Sequence, residues 1–351
     1  MRKTFSLLAA LLLLIGKFAQ AQPYNEGTTY YLPCTAVNIT LLLEKTTKTP
    51  GEYYMYSERF LKKNDVCSTP QTAWRIIDTK MYTIGIPDTS KMFTPLIDGK
   101  HTIYKVKLSP EGVILAVNEE AAPQTLPAPF VPAQKPTPLN PRDYMSQDIL
   151  SAGSIAKMAE LTAQEIYDIR ESKGQLNKGQ ADFMPKDGEQ LRIMLKNLDK
   201  QEEALLQMFE GTTVKDTSEI TVTFIPNQEV NKQVLFRFSK QLGMLDRDDL
   251  GGTPYYISVE DLHHTATNEA TLSDMKKRKD DVGIYANLPG KMKVSLYQGA
   301  ALLASKDFNA AQFGKTEPLD PELFGKKLMT NLIYNPVTGN IESIKTELTK
   351  K

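Results

Sequence analysis

Seven prolines (Pro123, Pro127, Pro129, Pro132, Pro136, Pro138 and Pro141) fall within residues 121–141. Each fixes its own φ near −65° and removes a backbone donor, so the stretch can join neither a regular helix nor the middle of a sheet. It is restricted to extended polyproline geometry, a semi-rigid spacer or a strap lying on a surface. The chain is thereby split into two flanks, and each flank has its own periodicity.

Before the prolines the text is mainly strand. Val37, Ile39, Leu41 and Leu43 alternate with Asn38, Thr40, Leu42 and Glu44, which sends the two sets to opposite faces of one strand. Trp74 to Ile77 and Met81 to Ile84 are further β-prone runs. Residues 103–117 form a hairpin around the turn signal Pro110-Glu111-Gly112. One helix interrupts this flank. Thr49-Pro50-Gly51-Glu52 has the form of a capping box, and Tyr53, Tyr56, Phe60 and Leu61 follow at helical spacing. Its aromatics either pack on the sheet or present Tyr53, Tyr54 and Tyr56 to a partner.

After the prolines comes a helical block. Ile155, Ala159, Thr162, Ile166 and Ile169 make one apolar seam; Leu191, Leu195, Leu198, Leu205 and Phe209 make a second, capped by Asp187 with Gln190 and stopped at Gly211. Joined by residues 173–188, the two seams predict an antiparallel helical hairpin. Two helices alone bury little, so the hairpin must pack on a β region, a copy of itself or a partner. From Thr212 the period of two returns in Ile220, Val222 and Phe224, then in Phe236 and Phe238, then in Met292, Val294 and Leu296. Residues 332–344 form a last hairpin around Asn335 to Asn340. The charged run 274–281 reads as a solvated loop or short helix.

The N-terminus carries a short basic start at Arg2 and Lys3, an apolar run from Phe5 to Ile15, and the small-x-small site Ala19-Gln20-Ala21. These are the three parts of a cleavable secretory signal. The apolar run is too short for a transmembrane helix, and no later stretch is long enough either. Removing residues 1–21 takes away Arg2, Lys3 and Lys17, leaving 39 bases against 42 acids. A charge so close to zero offers a polyanion nothing, which argues against nucleic acid as a partner. In an oxidising compartment Cys34 and Cys67 are a candidate disulfide, closing a loop that would contribute roughly 3–4 kcal/mol; two buried free thiols are the alternative.

The chemistry-bearing residues are sparse. His101, His263 and His264 lie in no metal-binding or catalytic motif, and neighbouring strand positions would point His263 and His264 apart. Gly314-Lys315-Thr316 resembles the end of a phosphate loop, but Asn309 stands where its first glycine belongs. No cofactor or metal is expected. Carboxylates are harder to set aside, since a glycoside hydrolase needs only two of them at the right separation. Asp246, Asp248, Asp249, Glu260 and Asp261 lie near Tyr255-Tyr256, and aromatics beside acids can line a sugar site. The same Asp/Gly content also suits an ordinary turn cluster.

Several segments carry a family resemblance: Tyr30-Tyr31-Leu32-Pro33, Glu44-Lys45-Thr46-Thr47, Pro50-Gly51-Glu52-Tyr53, Gly85-Ile86-Pro87-Asp88, Asn140 to Met145 and Ala163 to Arg170. Together they resemble an uncharacterised family of exported proteins from Bacteroides-type gut bacteria, catalogued as domain of unknown function 4831. The resemblance covers nearly the whole mature chain and implies a Gram-negative envelope location, periplasmic or at the outer surface. It brings no assigned reaction, cofactor or site residue.

The expected fold is α+β and mostly β, with two β-rich lobes and a central antiparallel helical hairpin. The segments are a signal peptide (1–21), an N-terminal β-rich domain with one helix (22–120), a proline-rich linker (121–141), the hairpin (142–211) and a C-terminal β-rich domain (212–351). The expected role is a non-catalytic binding or structural module for an envelope protein or glycan; the alternative is a carboxylate-dependent glycan hydrolase.

Overall fold

The computed structural model describes residues 29–97, 100–135, 137–263 and 281–348. The expected signal segment, His264 and most of the charged run 274–281 lie outside these residues. Strand dominates, as the alternation requires. Twelve strands are β1 (Tyr30–Thr49), β2 (Gln71–Phe93), β3 (Val106–Leu108), β4 (Ile114–Val117), β5 (Thr212–Phe224), β6 (Val230–Ser239), β7 (Gly243–Leu245), β8 (Thr253–Asp261), β9 (Tyr285–Gln298), β10 (Ala301–Pro318), β11 (Leu328–Tyr334) and β12 (Ile341–Leu348). Among the described residues four α-helices accompany them: α1 (Ser57–Leu61), α2 (Gln147–Leu150), α3 (Ile155–Lys178) and α4 (Gly188–Glu210).

The strands form three antiparallel sheets, ordered β2-β1-β5, β10-β9-β8-β6-β7 and β12-β11-β4-β3. The N-terminal and C-terminal β segments do not build separate sheets. β1 pairs with β2 on one side and with β5 on the other, with Ile39 opposite Val222. β4 pairs with β11, Leu332 opposite Val117. A period of two determines which face of a strand is buried but not which strand lies beside it.

The alternation in β1 sets the main core. Val37, Ile39, Leu41 and Leu43 are buried against Ile257, Val259, Met292, Val294 and Leu296 of the five-stranded sheet, each contributing about 1.5–3 kcal/mol. On the opposite face Asn38 and Thr40 satisfy themselves laterally, accepting from or sharing hydrogen bonds with Thr223 (2.7 Å) and Thr221 (2.9 Å). A second core gathers Tyr30, Leu32, Phe93, Tyr285, Phe324 and Tyr334 where the sheets meet. Between the two lies a polar tie. Fully buried Asn287 donates to the carbonyls of Pro33 (3.1 Å) and Thr338 (2.9 Å) and accepts from Thr316 Oγ1 (2.7 Å).

The proline-rich segment carries neither helix nor strand over residues 121–135, and it is a strap. Gln124 donates to Thr83 O (2.7 Å) and accepts from Gly85 N (3.2 Å), covering part of the outer edge of β2. Eleven residues on, Lys135 forms an ion pair with Asp216 on β5. In polyproline geometry those residues span ~34 Å. The register places Gly85 beside Thr35 and Asp216 beside Lys45, ten residues or ~33 Å of strand. The strap is therefore as long as the stretch of sheet it accompanies.

Candidate functional site

The helical hairpin is fastened at one end only. α3 begins after Ser154, whose side chain accepts from Lys157 N, and ends at Gly179 in the left-handed conformation. α4 begins after Asp187, which caps Gln190 N. The two helices are clamped by Glu202, which accepts from Arg170 Nε (2.6 Å) and Lys173 Nζ (2.8 Å). Burial alone would push the Glu202 carboxyl up, but the two cations outweigh it and hold the group below the usual range.

At the base, chain segments approach too closely for any side chain. A Cβ on Gly51 would meet Met208 O at 2.3 Å, and one on Gly211 would meet Thr49 O at 2.0 Å. Tyr53 N donates to Met208 O (2.6 Å) and Ser57 Oγ to Phe209 O (3.0 Å). Tyr53 is fully buried, its ring edge-on to Phe209 at 5.5 Å. The expected Tyr53, Tyr54 and Tyr56 face is thus not a surface as a set. Tyr53 belongs to the core, while Tyr54 and Tyr56 are half-buried and Tyr56 stacks on Phe60. The expected capping box is not formed either, because the chain turns through a 3-10 segment at Tyr54–Tyr56 before α1 starts.

The outer half of the hairpin stands free of the β body. The apolar cluster at its base runs through Ala159, Ala163, Ile166, Ile169, Leu205 and Phe209. Beyond it, Ile193 is 48% exposed, Met194 40%, Met184 42% and Phe183 89%. The free section of α4 is about ten residues, or ~15 Å, long.

The sequence-selected acids divide into two groups. Asp246, Asp248 and Asp249 follow β7 and form one wall of an open groove of about 530 Å³. Val222, Leu235, Phe236, Met244 and Leu245 supply its apolar lining, with Arg247 between the acids. Glu260 and Asp261 sit at the far end of β8. The register sets Thr253 beside Phe238 and Val259 beside Val230, so the two groups are ~20 Å apart along the strand. They cannot serve as one pair at the ~5–10 Å a glycosidase uses. Most have other work: Asp249 caps Gly251 N (2.8 Å), Asp248 meets Arg247 (3.5 Å), and Asp261 accepts from His263 N (2.9 Å).

The disulfide expectation is corrected. Both cysteines are free thiols. Cys34 lies opposite Ile86, whereas Cys67 precedes Gln71, which lies opposite Lys48; about 14 strand residues, or ~45 Å, separate those ends. That far exceeds the Cα separation a disulfide permits. Cys67 donates to Thr69 O (2.7 Å), and burial pushes the Cys34 thiol up. Near Cys34, Lys91 lies 3.9 Å from Asp88 and 3.4 Å from Asn287 Oδ1, its ammonium held below the usual range by burial. Gly314 is a glycine of a strand irregularity, since its Cβ would meet Leu288 O at 1.9 Å. Thr316 is spent on Asn287. No three His, Cys, Asp or Glu side chains group as a metal site among the described residues, and none of the described helices is long and apolar enough to cross a membrane.

A family model described as Domain of unknown function (DUF4831) matches residues 26–342, nearly the whole length. The chain belongs to the DUF4831 family. No curated protein and no solved structure matches it. Within the DUF4831 match fall all three cores, the strap, the free arm of the hairpin and the groove. The resembling segments in this DUF4831 chain are largely structural. A Cβ on Gly85 would meet Pro336 O at 1.9 Å, and Gly51 and Tyr53 build the hairpin base. Sequence reasoning missed the groove floor and the exposed tip at Phe183-Met184. The signal for the tip was present as two large apolar residues between Asp182 and Pro185, in a loop with no periodicity to bury them.

Proposed function

We propose that this protein is an exported, non-catalytic binding module of the cell envelope, and that it grips a protein partner through the arm of its helical hairpin. The observation that carries the proposal is Phe183 at the arm's tip, 89% exposed beside Met184, with Met194 and Ile193 exposed along the adjoining helix. Surface apolar residues scattered singly need no explanation, but four large ones within twelve residues of one protruding element point to an interaction site. Methionine adapts its shape to an apolar partner surface, which favours protein over glycan. The base gives such an arm the rigidity it needs, because Gly51 and Gly211 lock it to the end of the first sheet. Export rests on the N-terminal signal pattern of residues 1–21. A glycan hydrolase draws less support, since the turn around Asp249 and the pairing of Asp248 leave Asp246 alone in the groove wall.

The test places a photo-crosslinking amino acid at position 183 in cells and compares it with the same label at Leu250, an equally exposed site on the body. A discrete protein adduct at 183, lost when Met184 and Met194 are replaced by Ser, supports the arm. Equal labelling at both positions, or adducts only with lipid, overturns it.

A further inference from the structure

The open groove sits where two sheets end side by side. β5 is the last strand of the three-stranded sheet, and its outer edge has no strand beside it over Thr212–Phe224 among the described residues. Among the described residues β6 pairs with β7 only through Arg237, Phe238 and Ser239, and nothing else pairs with its outer edge from Val230 to Phe236. The sandwich is unsealed here. Ile220 and Val222 share the face of β5 that looks onto the apolar core, in register with Leu41 and Ile39, yet Ile220 remains 37% exposed. An apolar side chain that faces the sandwich interior and still meets water marks a missing layer.

We infer that this groove receives an extended cationic peptide, which adds as a strand to the free edge of β5. Unpaired N–H and C=O groups on an edge strand are a template for another strand, and strand addition supplies main-chain hydrogen bonds while alternate side chains enter a pocket. The floor of Val222, Leu235, Phe236 and Met244 takes the inward, apolar side chains. The rim selects the charge: Asp246, Asp248 and Asp249 outnumber Arg247 in the lining, and neighbouring Arg237 turns its Nε to the Arg247 carbonyl (3.2 Å). Arg247 lies 3.5 Å from Asp248, which leaves Asp246 free to meet a lysine or arginine. The groove volume, about 530 Å³, falls inside the ~300–1,000 Å³ of ordinary ligand sites.

The probe is an acetylated, amidated peptide of alternating valine with lysine or arginine, titrated into the full mature chain by fluorescence anisotropy, with hydrogen exchange read in parallel. The expected result is saturable binding that weakens with added salt and slows exchange of the β5 amides. Asp246→Asn with Asp248→Asn should weaken it by about tenfold; both sites are exposed and neither caps the turn. A peptide of the same length and charge with proline in place of each valine should not bind. Binding by the proline peptide, or no change in β5 exchange, overturns the inference. So does a concentration-dependent dimer that protects β5 and excludes the peptide, since a second copy would then own the edge. Replacing Phe183 by Ser should leave peptide binding unchanged, which separates this groove from the arm.

Discussion

Replacing Asn287 by Ala tests whether the sheets are tied by a polar centre or merely pressed together by apolar cores. The side chain is fully buried and makes three short bonds, two to the carbonyls of Pro33 and Thr338 and one from Thr316 Oγ1. Alanine leaves three buried polar groups without that partner, at about 1–3 kcal/mol each. Lys91 Nζ, 3.4 Å from the same oxygen, loses a neighbour too. Water entering the vacated space recovers part of this, so the expected loss is about 4 kcal/mol. In a chain of this size that lowers Tm by roughly 5–7 °C, read by calorimetry. Thr316→Val alone should cost about 1–2 kcal/mol. The double variant should fall short of the sum of the singles by at least ~0.5 kcal/mol, because the two residues share a bond. A Tm within ~2 °C of the parent for Asn287→Ala would refute the tie.

Other outcomes follow from the same geometry. Gly85→Ala should destabilise by about 3 kcal/mol in guanidinium unfolding, since its Cβ meets the backbone of Pro336 at 1.9 Å. Two thiols per chain should titrate in denaturant without reductant, with Cys67 reacting faster than buried Cys34 in the native protein; a mass two hydrogens lower would restore the disulfide. The Glu202 carboxyl is held low in the fold, so its contribution is complete above the unfolded value of ~4.3 and disappears as pH falls through the lower folded value. Thermal stability should therefore drop below about pH 4 by circular dichroism, and Glu202→Gln should flatten that drop.

What the chain revealed in advance was local. The alternation in Val37 to Leu43, the seams through Ile166 and Leu205, and the final turn at Asn335 to Asn340 each depend on neighbours a few residues away. All three elements form where those patterns place them. The β-prone runs Trp74 to Ile77 and Met81 to Ile84 are one strand, because β1 pairs with the polar Asp78-Thr79-Lys80 between them while water solvates their other side. The union of β1 with β5, more than 160 residues apart, has no local signature. Tyr53 shows the same limit: its helical spacing would be identical on a surface or in a core, and only the approach of Met208 and Phe209 decides between them. Among the site features, the acids of the groove were legible as residue types. Their division into two separated groups follows from strand register, which composition does not carry. Asn287 was in principle visible as a polar residue in line with buried Tyr285 and Ala286.

The most direct measurement is a crosslinking scan along the hairpin in living cells, moving the photoreactive label one position at a time from 180 to 197. Adducts with one protein, confined to the tip and to the exposed face carrying Ile193 and Met194 and absent from labels on the strap, are the expected result. A flat profile along the arm, or adducts that follow the strap instead, would contradict the arm as the place where this protein meets its partner.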